Sequence, residues 1–236
     1  MRILAIDTAT ESCSAALLLD ERLLQREQLL ERGAAETILP MVEELLTEAG
    51  VRLSMLNAIA FGRGPGAFTG VRLAASVTQG LAFGAGLKVV PVSDLQALAQ
   101  RVLDEAGAVE RVLVCTDARM HEVYWGCFER TADGFARPWG EERVTSPKDV
   151  TLPPPWVAAP GAVPGRMAGV GSGFTAYRQL PEALQLDAIL EGLLPRAAEV
   201  ARLAAGEVAA GRIFSAEQAL PVYLRDDVTR APPGAS

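Results

Sequence analysis

Three places in the 236-residue sequence combine residue types that could do chemistry. Asp7-Thr8-Ala9-Thr10 ends an apolar run on a carboxylate beside two hydroxyls, a set able to hold magnesium-linked phosphate oxygens. Gly62-Arg63-Gly64-Pro65-Gly66-Ala67-Phe68-Thr69-Gly70 is a glycine-rich turn before a small-residue helix. Glycine carries no Cβ penalty at positive φ, so this string describes a committed backbone path, and the free N–H groups of the helix that follows could receive an anion. Asp117-Ala118-Arg119 is a second strand-end carboxylate, with Gly169, Gly171 and Gly173 downstream as glycines that could line the adenine side of a nucleotide.

Each has a plain structural alternative. The turn lacks the Gly-Lys-Ser/Thr of a phosphate loop. Its Gly62-x-Gly64-x-x-Ala67 spacing fits a dinucleotide fingerprint loosely, but Pro65 removes a donor and Asp94 comes too late to hold a ribose. A structural turn that permits close helix packing explains the glycines better. Asp7 and Asp117 could be a nucleotide site or acids solvated at strand ends. A two-metal nuclease needs a carboxylate at the end of the fourth strand, where Gly62-Arg63-Gly64 stands. His121 is the sole histidine, which disfavours an imidazole metal centre, and no Gly-x-Ser-x-Gly elbow supports serine chemistry.

Composition narrows the partners. Half the residues are hydrophobic and 22 % are charged, enough to bury a sizeable core. A net charge of -7 argues against gripping nucleic acid unaided. Cys13, Cys115 and Cys127 lack metal-ligand spacing and read as buried hydrophobes in a reducing compartment. With no signal-peptide pattern and no membrane-length apolar run, a soluble cytoplasmic protein is expected.

The elements that must position these residues follow from periodicity. Strands are expected over 3–6, 13–19 and 23–29, a helix over 35–49 ended by Gly50, a strand over 58–61 and a helix over 69–83. A strand over 88–92 and a helix to about residue 105 follow, the latter opened by a Ser93/Gln96 capping box. Three antiparallel strands followed by two helix-linked parallel ones is the order of the ribonuclease-H-like unit of actin-like folds. Strands over 112–117 and 123–128 repeat its beginning, and Asp117 repeats Asp7. Prolines, Pro160 and Pro164 among them, break the chain from about 130 to 167, and a helix is expected within 194–210. The fold class is α/β: an actin-like (ASKHA) fold of two ribonuclease-H-like lobes, 1–105 and a degenerate 106–220, with a tail over 221–236 that ends in a frayed Ala-Pro-Pro-Gly-Ala-Ser.

Ile3-Leu4-Ala5-Ile6-Asp7-Thr8-Ala9-Thr10, Gly64-Pro65-Gly66-Ala67-Phe68-Thr69-Gly70-Val71-Arg72, Asp117-Ala118-Arg119 with Tyr124, and Pro221-Val222-Tyr223-Leu224-Arg225 together resemble the TsaB (YeaZ) family. These are bacterial partner proteins in tRNA threonylcarbamoyladenosine synthesis. The resemblance spans nearly the whole chain, and Gly-Pro-Gly-x-Phe-Thr-Gly-x-Arg, with Gly64, Pro65, Gly66, Thr69, Gly70 and Arg72, is its most specific string. It implies a non-catalytic scaffold that pairs with TsaD and supports TsaE, with ATP and metal in TsaD, tRNA reached only through the complex, and a homodimer when TsaD is absent. Where TsaD carries His-x-x-x-His, this chain has Asp94 and Leu98. The implied pairing surface is the first two helices, through Ile38, Leu39, Met41, Val42, Leu45, Leu46, Val71, Leu73, Ala74 and Val77. Asp7, Thr8, Asp117, Gly171 and Gly173 are then a possible remnant of a nucleotide site.

Overall fold

The computed structural model describes residues 1–157 and 166–225, so Pro160, Pro164 and the 231–236 end lie outside the described residues. β1 (Arg2–Asp7), β2 (Ser12–Leu19) and β3 (Arg22–Leu29) form an antiparallel meander. α1 (Ala34–Ala49) then crosses to β4 (Ala58–Gly62), which lies parallel to β1, and α2 (Phe68–Ala85) leads to β5 (Lys88–Val92). The sheet order is β3-β2-β1-β4-β5. β1 and β4 are covered on both faces and accordingly read as continuous apolar runs, while β3 at the edge carries Arg22, Gln25, Arg26, Glu27 and Gln28.

α3 (Asp94–Glu105) leads to β6 (Arg111–Asp117), β7 (Val123–Arg130), β8 (Ala136–Pro138) and β9 (Arg143–Thr145). β10 (Met167–Val170), the short helices α4 (Ser172–Ala176) and α5 (Leu180–Ala183), and β11 (Ala188–Leu190) complete a second sheet ordered β11-β10-β6-β7-β8, with β9 also on β7. Both sheets place their first strand centrally, antiparallel to the second and parallel to a later one, β4 in the first sheet and β10 in the second. The duplication expected from Asp7 and Asp117 is therefore present. Among the described residues the second copy has 3-10 turns at Pro147–Asp149 and Pro154–Trp156 where the first has α1.

The lobe boundary needs correcting. α6 (Ala197–Ala209), expected in the second lobe, packs Ala197, Val200, Ala201 and Ala204 onto Ile3, Ala5, Ala16, Ala58, Ala60 and Val90 of the first sheet. Small residues on both surfaces let helix and strands approach closely, and that match decides the partner. Phe214 bridges to Val89, and Ala216 and Ala219 enter the core beneath α1 and α2. α3 faces the second sheet instead, with Leu95, Leu98 and Val102 on Val112, Val114, Phe128 and Val170. α3 and α6 touch, so the two helices join the lobes.

Local signals fare well at helix ends. Gly50, at φ 66°, ends α1 and donates to the carbonyls of Leu46 and Thr47. At α3 only half of the expected capping box forms: Ser93 Oγ accepts from the Gln96 amide at 3.2 Å, but the Gln96 side chain donates to the Ala136 carbonyl at 2.8 Å and ties α3 to the second lobe. No helix among the described residues is long and apolar enough to cross a membrane.

All three cysteines are free and buried, and burial pushes their thiols up, Cys13 to about 11 and Cys115 and Cys127 to about 12. We expect all three to resist an aromatic disulfide reagent at pH 8 in the folded chain and to react within seconds after denaturation, followed by absorbance of the released thiolate.

Candidate functional site

The glycine turn after β4 and the acidic corner after β1 meet at backbone distance. The Ala67 amide donates to the Ala9 carbonyl at 2.7 Å, and Thr8 Oγ1 donates to the Gly70 carbonyl at 2.7 Å. A Cβ on Gly66 would collide with Ala9, and one on Gly70 with the Thr8 carbonyl. These two glycines admit the corner into the start of α2. Gly64 is the one position in the turn that needs a left-handed backbone, with φ 100°, and the Gly64–Pro65 peptide is cis.

Asp7 and Asp94 sit at the centre of this contact, and both are fully buried. Asp7 Oδ1 accepts from the Ala9 amide at 2.8 Å, and Asp94 Oδ2 accepts from the Gly64 amide. The Asp94 amide returns a bond to the Gly64 carbonyl at 3.1 Å. The two carboxyl groups crowd together over Gly62, whose missing side chain leaves them room. Burial pushes both carboxyls up, and Asp94 further, because it also faces the charge of Asp7. Beside them Ser93 Oγ donates to Glu142 of the second lobe, whose carboxyl burial also pushes up, and Arg63 Nε is buried without a partner among the described residues.

The Thr8 hydroxyl is bonded to the Gly70 carbonyl, the Asp7 carboxyl to the Ala9 amide and the Ala67 amide to the Ala9 carbonyl, so Asp7 and Thr8 are engaged by backbone and do not fit a magnesium-nucleotide site. Asp117 accepts from the Arg119 amide at 3.0 Å and pairs with its guanidinium at 3.5 Å, while the Asp117 amide donates to Ser172 Oγ. Gly171 and Gly173 lie against the Cys115 carbonyl, so they serve close packing of α4 on β6. The first corner is thus a packed turn, whereas Asp117 of the second lies half-buried and bonded to its own turn. His121 is exposed on the turn after Asp117, at φ 61°.

The 221–225 segment is a strap and not a free tail. The Val222 amide donates to the Arg63 carbonyl at 2.8 Å, and Arg72 Nε donates to Tyr223 Oη at 2.7 Å with its guanidinium 3.7 Å over the Phe68 ring. Arg225 reaches the Ala118 carbonyl at 3.2 Å and pairs with Glu122. Arg72 of the signature string therefore anchors the strap, and Thr69 beside it is exposed.

The helix faces also need correction. Ile38, Met41, Val42, Leu45, Val71 and Ala74, expected at a partner surface, are buried in the chain's own protein core. An amphipathic stripe first covers its own sheet. Leu39 is 47 % exposed, Leu46, Leu73 and Val77 are half-buried, and Phe83, which periodicity did not single out, is 73 % exposed. Leu39, Leu46, Val51 and Leu81 line an open groove between α1 and α2. Asp94 and Leu98 are buried, and among the described residues no cluster of three or more His, Cys, Asp or Glu could hold a metal.

Duplicated sheets of this order, joined by α3 and α6, define an actin-like α/β protein. The family model of TsaD, tRNA N6-adenosine threonylcarbamoyltransferase, matches residues 28–159. The tRNA threonylcarbamoyladenosine biosynthesis protein TsaB of Escherichia coli is 41 % identical over 97 % of this chain and 96 % of its own. That of Haemophilus influenzae is 38 % identical over 97 % and 95 %. A solved structure of YeaZ from Pseudomonas aeruginosa is 48 % identical and superposes with a TM-score of 0.85 over 94 % of this chain and 99 % of its own. The chain belongs to the TsaB (YeaZ) family.

The contact at Gly70 predicts an asymmetry along one helix. Gly70→Ala should cost about 3 kcal/mol or more, because its Cβ meets backbone that cannot give way. Gly80→Ala, where a Cβ meets nothing, should gain roughly 0.5–1 kcal/mol. Denaturant unfolding of both variants measures the difference.

Proposed function

We propose that this chain is a non-catalytic scaffold subunit that pairs with a TsaD protein and supports TsaE. In this reading TsaD forms N6-threonylcarbamoyladenosine at position 37 of tRNAs that read codons beginning with A. The observation that carries the reading is the surface left by α1 and α2 after their core stripes are spent. Leu39 and Phe83 stand in solvent, and an apolar groove runs between the helices beside Leu39. Apolar residues left exposed on two neighbouring helices, with an apolar groove between those helices, mark a surface that gains by being covered.

The chemistry falls to the partner. ATP and metal belong to TsaD, whose His-x-x-x-His positions are Asp94 and Leu98 in this chain, and Leu98 is sealed in the core between α3 and the second sheet. With its net charge of -7 the chain meets tRNA through the complex. Without TsaD, the same surface supports a homodimer, since an apolar patch of this kind can pair with its own copy.

Leu39→Glu and Phe83→Glu should each weaken pairing with the TsaD homologue of the same organism by about tenfold or more, and leave the melting temperature unchanged. Leu45→Glu should instead abolish folding, because Leu45 is fully buried. Size-exclusion chromatography with light scattering reads all three. Unchanged co-elution of both surface variants would refute the assigned face.

A further inference from the structure

We propose that Asp7 and Asp94 share a single proton in the folded chain, one carboxyl donating to the other, so that the pair rivets the β1 corner to the glycine turn. Each carboxyl gives one oxygen to backbone: Asp7 Oδ1 to the Ala9 amide and Asp94 Oδ2 to the Gly64 amide. The two remaining oxygens, Asp7 Oδ2 and Asp94 Oδ1, are buried, and among the described residues no other protein donor reaches either. Both carboxyls crowd the space above Gly62, where a Cβ would strike Asp94 and come within 3.2 Å of the Asp7 carboxyl carbon. Ionised carboxylates only accept, and two of them in contact without water cannot both stay charged. A proton between them satisfies both orphan oxygens at once.

The surroundings favour keeping it. Glu199 of α6 and Glu27 of β3 act on Asp7, and Glu142 acts on Asp94, all with the same sign as the pair. Their partners lie elsewhere: Arg196 pairs with Glu199, Ser12 Oγ donates to Glu27, and Ser93 Oγ donates to Glu142, toward which the charge of Arg63 is also directed. Cys13 is uncharged, since the nearby Asp7 and burial both raise its thiol. The rivet thus runs from Ala9 through Asp7, the proton and Asp94 to Gly64, and holds the turn from which α2 departs.

Burial raises the folded-state titration of the pair above that of an exposed carboxylate, which lies near about pH 4. Between that value and the folded titration, the folded chain holds more protons than the unfolded chain, so this pair's contribution to stability falls as pH rises. Asp94→Asn puts an amide donor where the proton sits and keeps an oxygen for Gly64, and Asp7→Asn does the mirror exchange. Calorimetric unfolding at pH 7 in buffers of different ionisation enthalpy counts the protons released. The wild-type chain should release about one proton more than either variant, and both variants should hold their melting temperature better than wild type between about pH 5 and 8. The infrared band of a protonated carboxyl should be present in the folded wild type at pH 7 and absent from Asp94→Asn. Equal proton release in wild type and variants, or failure of both isosteric amides to fold cooperatively, would overturn the shared proton.

Discussion

The start of α2 rests on the backbone of the β1 corner with nothing between them, and much of the structure depends on that contact. It requires Gly66 and Gly70, because any side chain there would enter the Ala9 or Thr8 carbonyl. It buries Asp7, whose close neighbour Asp94 begins α3. Through Asp94 the contact reaches the helix that packs on the second sheet, and through Arg63 and Arg72 it reaches the strap that returns to the second corner. One backbone approach therefore fixes α2, α3 and the strap relative to one another.

That approach also settles what the corners can do. A phosphate site at a strand end needs free N–H groups, a free carboxylate and space. Here the Ala67 amide is bonded to the Ala9 carbonyl, Asp7 and Asp94 each give one oxygen to a backbone amide, and the start of α2 rests directly on the β1 corner. The same residue types that suggest nucleotide chemistry serve packing in both lobes. What remains available is the outer surface of α1 and α2, where Leu39 and Phe83 are left uncovered.

Element order and sheet type were legible because alternation and helical periodicity report directly which side of a segment is buried. The duplicated sheet was legible from two strands ending in Asp. The α1 stripe of Ile38, Met41, Val42 and Leu45 was visible too, but periodicity shows only that a face is apolar and not which surface covers it; that the chain's own sheet does so requires the fold. The place of α6 was hidden for a related reason, since an alanine face suits any small-residue surface and only assembly shows that the first sheet supplies one. Asp94 after Ser93 reads as an ordinary acid at a helix start, and nothing local says that Asp7, far away in sequence, lies against it. Glu142 comes from a stretch without periodicity, so its approach to Ser93 had no signal at all.

A glycine turn that is a packed joint and not a nucleotide cradle should leave the isolated chain without affinity for nucleotide. Titrating the isolated chain with magnesium-ATP in a calorimeter tests it most directly. A packed joint should give no saturable binding heat at micromolar nucleotide and no turnover. Tight binding with hydrolysis that disappears in Asp7→Ala, while that variant stays folded, would contradict the account.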